Sequence, residues 1–173
     1  MTEDLFLILE SKTGYYTIAG PMRLGAILAG ATDNQLTSIY KFGLLLGRSF
    51  QIIDDLLDLT SDFAGQKKQQ GNDIYEGKRT LMLIHLLNHA SPADLIKIKQ
   101  ILEKPRAQKI QSEVNWIIQK MGEYGSLDYA KKVAQNFAAQ ATKIFDNELK
   151  LLEKEPFRSQ LKSIFDFILT RTH

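Results

Sequence analysis

From Phe50 to Leu59 the chain reads FQIIDDLLDL, an apolar run at helical spacing that carries three carboxylates. Asp54 and Asp58 are four residues apart and share one helix face. Asp55 is the next residue after Asp54, rotated from it by roughly 100°. Like charges at this spacing repel, by about a few tenths of a kcal/mol per pair. A helix that keeps three of them among Ile and Leu is expected to hold a cation against them. Asp62 continues the stripe by one more turn.

The rest of the chain limits what that helix belongs to. Apolar residues recur at helical spacing almost throughout, and no convincing period of two suggests a strand. The 173 residues are enough for one domain with a real core, so we expect a single all-α domain over residues 1–173, a helical bundle. A net charge of +2, without a long basic run, argues against nucleic acid as a partner. The absence of cysteine excludes disulfides and thiolate metal sites. The opening MTEDLFLILE carries acids where a signal peptide carries positive charge, and no apolar run approaches the roughly 20 residues of a membrane span. The expectation is a cytoplasmic protein that is not integral to a membrane.

Punctuation residues place the helices. One should run from about Glu3 to Ala29, bent near Gly20 and Pro21. A second should start at Asp33 or Asn34 and run to about Leu59. Ser61 to Lys78 is polar and contains glycine, which predicts a loop. A short helix is expected over Arg79 to Asn88. Ser91 and Pro92 should open another that reaches Glu103. Further helices are expected from Ala107 to Met121, from Ser126 to Lys154, and from Pro156 onward.

The acidic face points to magnesium. That ion takes hard oxygen ligands, usually only one or two protein carboxylates, and completes its octahedron with water and phosphate oxygens. The loop that follows contains Lys67, Lys68, Asp73, Lys78 and Arg79, and lysine serves phosphate as a point charge. Acidic helix and basic loop together suit a magnesium-bridged diphosphate. DDxxD alone is also a common pattern of solvated helix faces. What separates this one is its apolar setting and the GNDIYEGKRT that follows it. His85 and His89 have metal-ligand spacing but sit in an apolar helix with no third ligand nearby. Trp116, Tyr15 and Tyr16 read as packing or interface residues.

Taken in order, SKTGYYTIAGPMRLGAILAGA, FQIIDDLLDLTSD and KQQGNDIYEGKRT resemble the trans-isoprenyl diphosphate synthases, the polyprenyl synthetase family. The first is similar to the family's Lys-Thr helix, the second to its second aspartate-rich motif, and the third to its K-x-x-G-x-D-x-x-E-G-K segment. YAKKVAQNFAAQATKIFDNEL and LKSIFDFILTR resemble its C-terminal helices. The resemblance implies part of an isoprenoid-synthase-type fold, and an activity that joins an allylic diphosphate to isopentenyl diphosphate with Mg2+. It implies that Asp54, Asp55 and Asp58 hold magnesium, and that Lys12, Lys68 and Lys78 contact the allylic diphosphate. Thr13 and Gln51 would lie near the reacting end, Phe50 would line the pocket, and Asp73 would support the metal site or the loop.

The chain departs from the family in one respect. Its motifs begin at the Lys-Thr helix, and no other DDxxD occurs. The family's N-terminal half, with the first aspartate-rich motif and the basic residues for isopentenyl diphosphate, has no counterpart here. Three readings follow: a subunit that works with a partner chain carrying that half, an inactive fragment, or a non-catalytic subunit that binds a synthase. Homo- or hetero-oligomers fit these readings, and apolar faces should be left exposed or covered by a partner.

Overall fold

The computed structural model describes residues 2–60 and 69–170. The expected loop start at Ser61, together with Asp62, Lys67 and Lys68, lies outside the described residues. Among those described, every regular element is helical. The chain divides into two compact units, one of residues 2–5, 54–60 and 69–132, the other of residues 6–53 and 133–170.

In the second of these, residues 6–9 of α1 (Thr2–Leu9) lead into a π-helical stretch, Glu10–Ala19, and then α2 (Gly20–Leu28). The expected bend at Gly20 and Pro21 is a change of helical winding. The Gly20 amide donates to the carbonyl of Tyr15, five residues back, and Pro21 has no amide to donate. The long helix α3 (Asp33–Thr60) gives residues 33–53 to this unit. Small residues let it approach the π-helical stretch closely. A Cβ added to Gly47 would sit 2.3 Å from the Gly14 Cα, and one added to Gly43 would sit 2.6 Å from the Ala19 Cβ. The core of the unit is built on Ile39, Phe42 and Leu46 of α3, with Ala141, Phe145, Leu149 and Phe165. The rings of Phe42, Phe145 and Phe165 meet one another at centroid distances of 4.8 to 5.7 Å. Leu7, Ile8, Tyr16, Leu24 and Leu28 are exposed.

Helix α8 (Ser126–Asn147) stops earlier than its pattern predicts. The guanidinium of Arg158 donates to the carbonyl of Phe145, in the last turn of α8, and to that of Leu149 just beyond it. A 3-10 turn, Lys150–Leu152, follows, and the last helix is Phe157–Thr170.

The other unit takes residues 54–60 of α3. Within the predicted loop, Asn72–Tyr75 forms a single helical turn, α4. Helix α5 (Leu81–His89) is buried nearly all round, through Leu81, Met82, Leu83, Ile84 and Leu86, and lies against α7 (Gln111–Glu123). The Thr80 hydroxyl accepts from the Leu83 amide and caps α5. Ser91 caps α6 (Pro92–Leu102) in the same way, with Pro92 in its first turn. The helix expected from Ala107 begins at Gln111 instead. Arg106–Gln108 is a separate 3-10 turn, and Lys109 is extended and buried.

The Gly14–Gly47 approach leaves no room for a methyl group. Gly47→Ala is expected to destabilise the chain by about 2 kcal/mol, since overpacking outweighs the better helix propensity of alanine. Chemical denaturation measures it, and unchanged or increased stability contradicts the packing described.

Candidate functional site

The acidic motif occupies the last turns of α3, and a short segment beyond it closes onto them. Gly71 starts this closure with a φ of 75°, a left-handed conformation that suits glycine. Its amide donates to the Asp58 carbonyl at 2.9 Å, and the Gln70 side chain donates to the Leu59 carbonyl at 2.7 Å. A Cβ on Gly71 would also meet the Val114 side chain at 2.5 Å. The Asp73 amide then donates to the Asp58 carboxylate at 3.0 Å. Gly77, again left-handed, turns the chain so that Lys78 faces back toward α3.

The Lys78 ammonium joins both segments. It donates to Asp55 Oδ1 at 2.7 Å and to Asp73 Oδ2 at 2.8 Å. Asp55 is only 2% exposed, so its charge has little access to water and the ammonium offsets that loss. Burial of the ammonium works to lower its pKa. The charges and hydrogen bonds of Asp55 and Asp73 outweigh that and lift it above the ordinary lysine range. The pairing therefore contributes stability fully below the ordinary lysine pKa and loses it only as pH rises through the raised value.

The structure thus brings together Asp55, Asp58, Asp73 and Lys78 in one unit, with Asp54 half-buried on the same stretch of α3. In the other unit it brings together Thr13 and Gln51. The buried Thr13 hydroxyl donates to Gln51 Oε1 at 2.9 Å, across the close approach at Gly14 and Gly47. Lys12 beside it is exposed, and Phe50 is half-buried. Lys68 lies outside the described residues. The roles of Gly71 and Gly77 were not singled out from the sequence, although their spacing around Asp73 is the available signal.

Among the described residues, no three His, Cys, Asp or Glu side chains group as a metal cage. His85 and His89 stack on each other with ring centroids 4.0 Å apart. Their Nδ1 atoms are 3.0 Å from the Ser126 hydroxyl and 2.8 Å from the His85 carbonyl, respectively. Burial, and then the neighbouring His89, hold the His85 pKa below the usual histidine value. No helix among the described residues is long and apolar enough to cross a membrane.

Residues 1–121 match the family described as polyprenyl synthetase. Over 173 residues the chain is 33% identical to the short chain isoprenyl diphosphate synthase of Methanothermobacter thermautotrophicus, covering 100% of this chain and 51% of the relative. It is 31% identical to the nonaprenyl diphosphate synthase of Mycobacterium tuberculosis, over 98% of this chain and 48% of the relative. Among solved structures, it is similar to geranylgeranyl pyrophosphate synthase from Corynebacterium glutamicum, complexed with isoprenyl diphosphate and magnesium, with a TM-score of 0.84 and 26% identity over 99% of this chain and 47% of that one. For geranylgeranyl pyrophosphate synthetase from Pyrococcus horikoshii the TM-score is 0.79 and the identity 30%, over 95% and 47% of the two chains. The chain spans about half the length of the curated relatives it matches.

Removing the Lys78 ammonium takes a cation away from a buried carboxylate. Lys78→Met is expected to cost about 2 kcal/mol, at the lower end for a buried pair because solvent reaches the lysine. Asp55→Asn in the same chain should recover part of that loss. Denaturation of the single and double variants tests it, and a Lys78→Met chain as stable as the original contradicts the role of the pair.

Proposed function

The chain belongs to the polyprenyl synthetase family, and from that premise we propose that it supplies the second aspartate-rich half-site of prenyl transfer. The substrates are an allylic diphosphate and isopentenyl diphosphate. In that reaction the carbon–oxygen bond to the allylic diphosphate breaks, and the diphosphate leaves with the electron pair. The double bond of isopentenyl diphosphate forms the new carbon–carbon bond, and a proton is lost from the adduct.

The donor set at the end of α3 suits magnesium: carboxylate oxygens, with no thiolate and no imidazole on that stretch. Asp54 and Asp58 would hold it, with Asp55 close by. Bound there, magnesium neutralises the negative charge that grows on the departing diphosphate. The chain's own residues do the rest. Asp55 and Asp73 fix the Lys78 ammonium, whose third N–H would serve a phosphate oxygen. Asp58 holds the Gly71–Asp73 turn in place through the Asp73 amide. The resemblance would also give Lys12 and Lys68 to the diphosphate. It would put the hydrogen-bonded Thr13 and Gln51 near the reacting end, and Phe50 in the pocket wall.

The observation that carries this reading is the Asp55–Lys78–Asp73 bridge, which ties the acidic motif and the loop motif into one unit. A second reading has one observation in its favour. Leu7, Ile8, Tyr16, Leu24 and Leu28 are exposed, apolar surface of the kind that a non-catalytic subunit would give to a partner chain. In that reading Asp54→Ala has no effect on function.

Calorimetry separates the two. The chain is expected to bind pyrophosphate in the presence of Mg2+, and the double variant Asp54→Ala, Asp58→Ala is expected to lose that binding. Equal binding by both proteins rejects the half-site. The 173 residues by themselves are expected to make no prenyl product from an allylic diphosphate and isopentenyl diphosphate, and turnover by the highly purified chain refutes that.

A further inference from the structure

Among the described residues, Asp55 and Lys109 are the charged side chains that are buried, with 2% and 7% exposure. Asp55 belongs to the site already described. Lys109 does not: it lies on the short connection between the Arg106–Gln108 turn and α7. Its ammonium donates to the carbonyls of Ile74 at 3.1 Å and Tyr75 at 2.9 Å. These are carbonyls at the end of α4, where a four-residue helix has run out of i+4 amides to offer them. A cation there also meets the negative end of the peptide dipoles.

The segment that Lys109 grips is the one that presents the site. The Ile74 carbonyl also accepts from the Gly77 amide at 3.1 Å, and the Asp73 carbonyl accepts from the Lys78 amide at 2.9 Å. Lys109 Nζ lies 3.9 Å from where a Gly77 Cβ would stand. Arg106, from the same connection, reaches Asn72 Oδ1 at 2.8 Å and Glu76 Oε1 at 3.3 Å. So the turn carrying Asp73 and Lys78 is held on one side by Asp55 and Asp58, and on the other by Lys109. Burying an ammonium carries a desolvation cost that an apolar side chain of similar volume avoids. A lysine at this position is better explained by what it holds than by packing.

We propose that Lys109 is a positioning residue, which fixes the 71–78 turn so that Lys78 and Asp73 are pre-set against the acidic end of α3. This rests on the diphosphate half-site proposed above. Lys109 touches neither metal nor substrate and acts through the turn.

The test combines amide hydrogen exchange with calorimetry of Mg2+–pyrophosphate binding, on the 173-residue chain and its Lys109→Met, Lys109→Gln and Lys109→Arg variants. In Lys109→Met, exchange at Tyr75, Gly77 and Lys78 should rise while the buried amides of α7 keep their protection. Affinity should fall by about tenfold, the usual scale for a supporting residue behind a metal site. Lys109→Gln, with a single neutral donor group, should lose less and serves where the methionine variant does not fold. Lys109→Arg should return both readouts to near the original values. Unchanged exchange over residues 71–78 overturns the proposal, as does faster exchange with undiminished affinity, which reduces Lys109 to a structural role. If the original chain binds no Mg2+–pyrophosphate, the half-site reading fails instead, and exchange alone then decides whether Lys109 fixes the turn.

Discussion

A single ammonium shared by two carboxylates organises the candidate site. Asp55 is sealed from water on α3, and a buried carboxylate without a cation is strongly unfavourable. Lys78 relieves it, but reaches it only because Gly71 and Gly77 fold the intervening turn back. Asp73 then becomes the second acceptor, and its amide returns to Asp58. Each bond presupposes the others, which is how a short and largely polar segment acquires one defined conformation. The stability of the pair and the fixed placement of the Lys78 ammonium come from the same contacts.

A different kind of constraint operates in the unit that contains Thr13 and Gln51. There the backbones themselves approach, because Gly14, Gly43, Gly47 and Ala19 present almost no side chain at the contact. Close approach brings the Thr13 hydroxyl within hydrogen-bonding distance of Gln51. The π-helical winding of Glu10–Ala19 accompanies it, and such windings are uncommon and recur at functional sites. Gln51 stands three residues before Asp54 on α3, so one continuous helix carries both a polar contact and the acidic motif.

Helices with long periodic patterns and side-chain caps were legible in the sequence. α3 runs from Asp33 to Thr60, close to the expected Asp33 or Asn34 to Leu59, and α6 opens at the expected Ser91–Pro92 pair. Elements decided by partners beyond their own pattern were not. α8 stops at Asn147, where Arg158 of the next helix meets its end, and the periodicity of α8 does not announce that. α4 has four residues, too few for a period, and Lys109 is an isolated lysine whose burial depends on carbonyls far away in the sequence. The residue types at the site were readable, whereas their pairing was not. The resemblance implied Asp55 for metal and Lys78 for diphosphate, and sequence spacing cannot say that these two side chains meet each other first.

The central claim is that the acidic edge of α3 and the lysine locked beside it bind diphosphate through a divalent ion. The most direct measurement is titration of pyrophosphate into the chain with saturating Mg2+ and again with a chelator in its place. The account predicts binding in the first case and none in the second. Equal affinity with the ion removed, or no binding in either condition, contradicts it.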